Sequence, residues 1–268
     1  NFINIDKKSK NKKINWKYKT GGGGTSIGIY NGKIIEKAAV NFSSISGKII
    51  PSSALSKKLG QHKQFRATGV SVVVHSQNPF VPCSHLNVRH FELSKNKWWF
   101  GGGYDLTPYF PYADDIKLWH SNTRKMCDKH DKKYYKNFKK QCDKYFYLKH
   151  RKEKRGVGGI FFDNLNTKSK NHYMFFLEDV VSSFLESYIK IINKRSSNKY
   201  NKSHKEFQLY RRGRYVEFNL IYDRGTLFGL QSDGRADSIL MSMPPQAEWS
   251  TIKSKTLMNY EKKLLKFL

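Results

Sequence analysis

The sequence predicts an α+β fold in which helices pack on a mainly antiparallel β-sheet. Three observations predict it: an early hairpin pattern, several closely spaced strand-like segments, and long stretches of helical periodicity between the strands. Strands at both ends with helices between them would also suit α/β, but the short spacings favour antiparallel pairing. No linker-like composition and no internal repeat divides the 268 residues, so a single domain over 1–268 is expected.

The elements follow in order. Gly21–Gly24 reads as a four-glycine turn leading into Thr25–Tyr30, an Asn31-Gly32 turn and Lys33–Val40, which together read as a hairpin. Thr68–His75 is a strand whose Ser71, Val73 and His75 share one face. Pro79 and Pro82 break the chain before a second strand, Leu86–Leu93, and the period of two places His85, Asn87, Arg89 and Phe91 together. Trp98–Phe100 runs into Gly101-Gly102-Gly103 and then Tyr104-Asp105-Leu106-Thr107-Pro108. Asp114 to His150 reads as two helices, the second with Tyr134, Phe138, Cys142 and Tyr145 in a stripe. Ile160–Phe162 is a short strand, and His172–Lys194 a long amphipathic helix. Arg214–Asp223 alternates, with Val216, Phe218, Leu220 and Tyr222 apolar, and reads as a further strand. A Lys/Leu-rich helix ends the chain.

Composition narrows the function. With 38% hydrophobic and 15% aromatic residues the chain buries a real core. No apolar run approaches the ~18 residues of a membrane span. Cys83, Cys127 and Cys142 form neither a CxxC pair nor an even framework, which points to a reducing compartment without a disulfide scaffold or zinc knuckle. The net charge of +29 leaves three partners open: nucleic acid, an anionic membrane surface, or a polyanionic small molecule. Most of it is lysine in runs at the N-terminus, between Arg124 and Arg155, and over Asn193–Lys205, which read as solvated surface. Residues 1–19 and 193–205 are expected to be loosely ordered. Arg89, Arg211, Arg212, Arg214, Arg224 and Arg235 differ, lying among strand formers and glycines. Their planar forks suit bidentate carboxylate or phosphate contacts, or ion pairs with Glu217, Asp223 or Asp237.

The glycine runs lack the residues of a P-loop or a dinucleotide turn, and read as tight turns or as sites of close ligand approach. His75, His85, His120 and His150 leave two roles open, a metal site or a general acid/base. Their spacing shows neither HxH nor HxxxH. Asp105 leaves an aromatic run, Trp98-Trp99-Phe100. That surround would raise its pKa and suit a base, although a turn or cap role fits equally. The basic runs carry no zinc finger, helix-turn-helix or aromatic RNA-binding signature, so nucleic acid is not expected as the partner.

Five segments resemble the oxygen-dependent coproporphyrinogen III oxidases: GGGGTSIGIYNGKIIEKAAVNFSSISG (21–47), HSQNPFVPCSHLNVRHFE (75–92), WWFGGGYDLTPY (98–109), CDKYFYLKHRKEKRGVGGIFFDNLN (142–166) and QLYRRGRYVEFNLIYDRGTLFGLQSDGRADSILMSMPP (208–245). The resemblance implies a large antiparallel sheet flanked by helices on both faces, a deep cleft and a homodimer, with 215–250 linked to dimerisation. It implies oxidative decarboxylation of two propionates of coproporphyrinogen III to vinyl groups in haem biosynthesis, with O₂ as acceptor. No cofactor is required; a divalent metal on His75, His85, His120 and His150 is the alternative. By position, His85 resembles the family's proposed proton donor, and Asp105 the aspartate that engages pyrrole N–H groups. Together with Arg89 they form the expected catalytic set. Ser71, Asn87, Val88, Arg89, Asp233, Gly234 and Arg235 resemble substrate-binding residues. The resemblance further implies a cytoplasmic enzyme, or one of the mitochondrial intermembrane space, without membrane insertion. The Lys/Asn-rich 193–205 segment is unlike most members.

Overall fold

The computed structural model describes residues 2–48, 64–94, 96–231 and 234–268. Seven strands form one antiparallel sheet: β1 (Lys10–Lys17), β2 (Gly22–Tyr30), β3 (Ile35–Gly47), β4 (Phe65–Ser76), β5 (Cys83–Ser94), β6 (Lys97–Thr107) and β9 (Gly158–Leu165). Spatial order follows chain order, and a small β7–β8 hairpin (Tyr147–Leu148, Glu153–Lys154) precedes the last strand. The hairpin expected around Asn31-Gly32 is present, with Asn31 at φ 53°, and β2 already begins at Gly22, inside the supposed glycine turn.

Each face of the sheet has its own layer. Val72, Val74, Leu86, Val88, Tyr104, Ile160 and Phe162 point to one side. There they meet α2 (Ala113–Asp128) and α4 (Lys170–Arg195), through Trp119, Phe176, Phe184 and Tyr188. Burying an aromatic side chain of this kind contributes about 2–3 kcal/mol, so this layer anchors the fold. The other face meets α5 (Lys202–Ile221), then α6 (Arg224–Gln231), α7 (Ala236–Ile239) and a 3₁₀ turn (Leu240–Ser242). α3 (Tyr134–Tyr145) packs at the β9 edge, and α8 (Lys255–Leu265) packs on α5. The short α1 (Phe2–Ile5) ends at Asp6, whose carboxylate accepts the N–H groups of Lys33, Ile34 and Ile35.

One expectation changes, and two basic segments take defined places. Residues 214–221 are helical, not a strand, and 222–223 turn out of that helix. The alternation counted only apolar side chains, but α5 is enclosed on several sides, so Arg211, Arg212, Arg214, Glu217 and Asn219 are buried beside Tyr215 and Phe218. Their mutual pairing makes that burial tolerable. The segment 193–205 is the end of α4 and the start of α5, with Asn201 and His204 forming a reciprocal cap. Within 1–19, β1 is the edge strand, and its lysines discourage pairing with another chain.

Candidate active site

The face opposite the α2–α4 layer carries a cavity of about 350 Å³, and the strand registers explain it. One row across the sheet runs Ser26, Asn41, Ser71, Asn87, Gly103; the next runs Gly24, Ser43, Gly69, Arg89, Gly101. Directly paired residues share a face, so small and polar side chains lie together and leave a hollow. At Gly103, φ is +143° and an added Cβ would lie 2.1 Å from the Ile160 carbonyl, so this position requires glycine. The far wall is formed by residues of α6, α7 and the 3₁₀ turn, and this wall is the strap over the sheet floor. It is tied to the floor by Ser26 Oγ donating to Ser238 Oγ (3.0 Å), Asn41 Nδ2 donating to the Ser238 carbonyl (3.1 Å) and His75 Nε2 donating to the Ser242 carbonyl (2.9 Å).

A third row pairs Val73, His85 and Asp105. His85 lines the cavity, and its Nδ1 lies 3.3 Å from Asp105 Oδ1. Asp105 itself is 1% exposed and does not reach the cavity surface. Arg155 grips it from behind, with Nη2 to Oδ1 at 2.6 Å and Nε to Oδ2 at 3.2 Å, while Nη1 donates to Asn219 Oδ1 at 2.8 Å. The Arg155 guanidinium is boxed by Phe146, Tyr215 and Phe218, whose ring centres lie 4.1, 4.7 and 4.6 Å away. Three rings and three hydrogen bonds leave this side chain a single orientation.

The electrostatics follow from the geometry. Burial opposes ionisation of Asp105, but Arg155 and the His85 hydrogen bond outweigh it and hold the carboxyl below its ordinary value. The pKa rise expected from the aromatic run is therefore corrected: the run is there, but a buried cation the sequence reading did not count decides the sign. Asp105 acts on the cavity through His85. With Nδ1–H directed at a carboxylate, the free Nε2 of His85 is the atom available to a ligand.

A second cluster forms the cavity rim. Arg89 Nη1 donates to Asn87 Oδ1 (2.9 Å), and Arg89 Nη2 lies 3.2 Å from Asp163 Oδ1. Arg224 Nη2 donates to Asp163 Oδ2 at 3.0 Å. Asp223 accepts from Tyr145 Oη and from the Thr226 N–H and hydroxyl, all at 2.9 Å. Burial pushes the Asp223 carboxyl up, but the His85 charge and these donors more than reverse that, so it is held below its ordinary value. Tyr145 stacks on Phe161 at 4.1 Å, giving the wall a flat aromatic surface.

Of the expected site residues, Ser71, His85, Asn87, Arg89, Gly234 and Arg235 line the cavity. Val88 does not: its side chain points into the α2–α4 core. Asp233 lies outside the described residues. Arg235 is half exposed and pairs with Asp237 at 3.3 Å. Arg211, Arg212 and Arg214 are structural: Arg211 pairs with Glu153 and Glu261, Arg212 with Glu36, and Arg214 with Glu217.

The four histidines do not fit a shared metal. His75 bonds the Ser242 carbonyl, His85 Asp105, His120 the Val157 carbonyl, and His150 both Glu217 and Tyr222. Among the described residues no group of three or more His, Cys, Asp or Glu side chains is placed to hold a metal ion.

Sequence reading missed Arg155, Asn219 and Asp163, and placed Arg224 only among the arginines suited to carboxylate contact. Arg155 was counted with the lysine-rich surface. The signal that sets it apart is an arginine directly before Gly156-Val157-Gly158-Gly159, a long cation at the mouth of a buried glycine-rich strand.

The family profile of coproporphyrinogen III oxidase matches residues 1–268. The oxygen-dependent coproporphyrinogen-III oxidase of Francisella philomiragia subsp. philomiragia is 55% identical over 233 residues, covering 85% of this chain and 76% of that protein. Its counterpart in Francisella tularensis subsp. holarctica is 51% identical over 252 residues, covering 92% and 82%. That of F. tularensis subsp. novicida is 54% identical over 233 residues, covering 85% and 76%. The chain belongs to the coproporphyrinogen III oxidase family.

Proposed function

We propose that the protein converts two propionates of coproporphyrinogen III to vinyl groups with one O₂ as electron acceptor for each, giving protoporphyrinogen IX, two CO₂ and two molecules of hydrogen peroxide, in haem biosynthesis. The observation that carries this reading is the cavity itself. It sets a histidine backed by a buried ion pair beside a rim of arginines, in a chain that matches this family from end to end.

The substrate carries about four negative charges at neutral pH, since carboxyl pKa values lie near 4. Arg89, Arg224 and Arg235 offer charge-assisted hydrogen bonds to its carboxylates. The Tyr145–Phe161 stack supports a pyrrole face, and the Ser71 and Asn87 side chains on the floor offer polar contacts. His85 Nε2 is the proton-handling atom toward the reacting pyrrole and side chain. Ionised Asp105 fixes the ring and stabilises the imidazolium when it forms, and Arg155 keeps Asp105 ionised. The electron-rich pyrrole reacts with O₂ directly; loss of a hydride equivalent from the β-carbon to oxygen, with a proton, accompanies departure of CO₂ and leaves the vinyl group. No cofactor is needed for this balance. Water exclusion within the cavity strengthens each contact.

The protein acts as a homodimer in the cytoplasm on this reading, without membrane insertion. Among the described residues no helix is long and apolar enough to cross a membrane. The test is product formation from coproporphyrinogen III with and without O₂, read by porphyrin fluorescence after oxidation. Protoporphyrin formed only with O₂ supports the proposal; no product, or equal product without oxygen, contradicts it.

A further inference from the structure

The Arg89–Asp163–Arg224 bridge is built by two local irregularities. Phe100 pairs with Leu165 and Gly102 with Phe162, so Gly101 faces both Asp163 and Asn164, a bulge in β9. Asn164 takes φ 57°, and its N–H donates to Asp163 Oδ1 at 3.0 Å. Bulges re-aim side chains near active sites, and this one aims Asp163 across β6 toward Arg89 on β5. The crossing needs Gly101: an added Cβ would lie 2.7 Å from Asp163 Oδ1 and 2.9 Å from Arg89 Nε. One carboxylate thereby holds two arginines from separate elements, with its oxygens divided between them.

The exposures matter. The side chains of Arg89 and Arg224 are 31% and 46% exposed, and Asp163 is 17% exposed at the cavity wall. This bridge is open to exchange, unlike the buried Arg155–Asp105 pair. We propose that Asp163 is an internal stand-in for a substrate carboxylate. It occupies the Arg89–Arg224 pair while that subsite is empty, yields it to a propionate on binding, and reclaims it on release. This rests on the proposed poly-propionate substrate and adds a positioning residue to it. Release of a poly-propionate leaves its anchoring cations without partners, and a built-in counter-ion takes up both arginines again until the next carboxylate arrives. The arrangement trades ground-state affinity for turnover.

The test compares the wild type with Asp163→Asn and Asp163→Ser, both neutral, and Asp163→Glu, which keeps the charge. Binding is read by fluorescence of coproporphyrin III, with its tetramethyl ester as the uncharged probe. Removing a competing carboxylate shared by two partly exposed arginines tightens coproporphyrin binding by about tenfold. It lowers KM and kcat together and leaves ester binding unchanged, while Asp163→Glu stays near wild type. Unchanged or weaker coproporphyrin binding in both neutral variants, or an equal gain for the ester, overturns the exchange. Wild-type turnover is measured in the same preparation. Its absence contradicts the proposed function, whereas turnover with unaltered probe affinity in the variants contradicts the exchange alone.

Discussion

Two arginine sites on one cavity serve opposite ends. Arg155 is 3% exposed, fixed by three rings, and has its hydrogen bonds satisfied by Asp105 and Asn219. Arg89 and Arg224 stand at the rim, partly in solvent, sharing one carboxylate. Identical chemistry yields a fixed field in one place and an exchangeable anchor in the other. The difference lies in what surrounds the guanidinium. A boxed cation sets the ionisation and orientation of its neighbours, and a rim cation is free to change partners.

The comparison is broken most severely on the buried side. Arg155→Leu leaves Asp105 a buried charge without its cation, and breaking such a pair costs about 3–5 kcal/mol. Chemical denaturation should show that loss, and a loss under 1 kcal/mol would mean that Asp105 finds another partner. Replacing both members, Arg155→Leu with Asp105→Leu, should recover much of the stability and none of the activity.

The next effect is one of pH. Burial, reinforced by the Arg212 charge, lowers His75 to about 3, and burial with Lys139 lowers His120 to about 4. Both are neutral in the folded protein, and the unfolded chain takes up their protons near 6.5. Their contribution is therefore complete above about pH 6.5 and is lost as pH falls toward the folded values. Each adds a slope of up to about 1.4 kcal/mol per pH unit. Denaturation midpoints between pH 6.5 and 4.5 should fall accordingly, and His75→Gln should flatten the slope by one proton. A flat wild-type profile would contradict the burial of both rings.

Smallest is the rim. Gly101→Ala crowds Arg89 and Asp163 without touching His85. We expect KM to rise about fivefold, the equivalent of about 1 kcal/mol, with kcat within about twofold. A large kcat loss with unchanged KM would place Arg89 in the chemistry rather than in anchoring.

Much of this was legible in the sequence, for reasons that also explain what was not. Period two put His85, Asn87 and Arg89 on one face, and the structure keeps them there. The same rule placed Val88 on the other face, so the resemblance that named it as substrate-binding does not apply to its side chain. The helix at 214–221 was misread because alternation describes a half-buried strand, whereas α5 is enclosed on several sides and hides polar residues too. Arg155 stayed invisible because its partners, Asp105 and Asn219, are 50 and 64 residues away. Asp163 depends on a bulge, and a shift of one residue in register leaves no periodic trace.

The central claim is that Asp105 works from behind His85, held ionised by Arg155, rather than by touching the substrate. Asp105→Asn keeps the shape and removes the charge, so the steady-state rate of oxygen-dependent decarboxylation tests it most directly. The account predicts a kcat reduced by about 10² to 10⁴ with coproporphyrin affinity within about threefold of wild type. A kcat within tenfold of wild type, or an affinity loss that accounts for the whole effect, would contradict it.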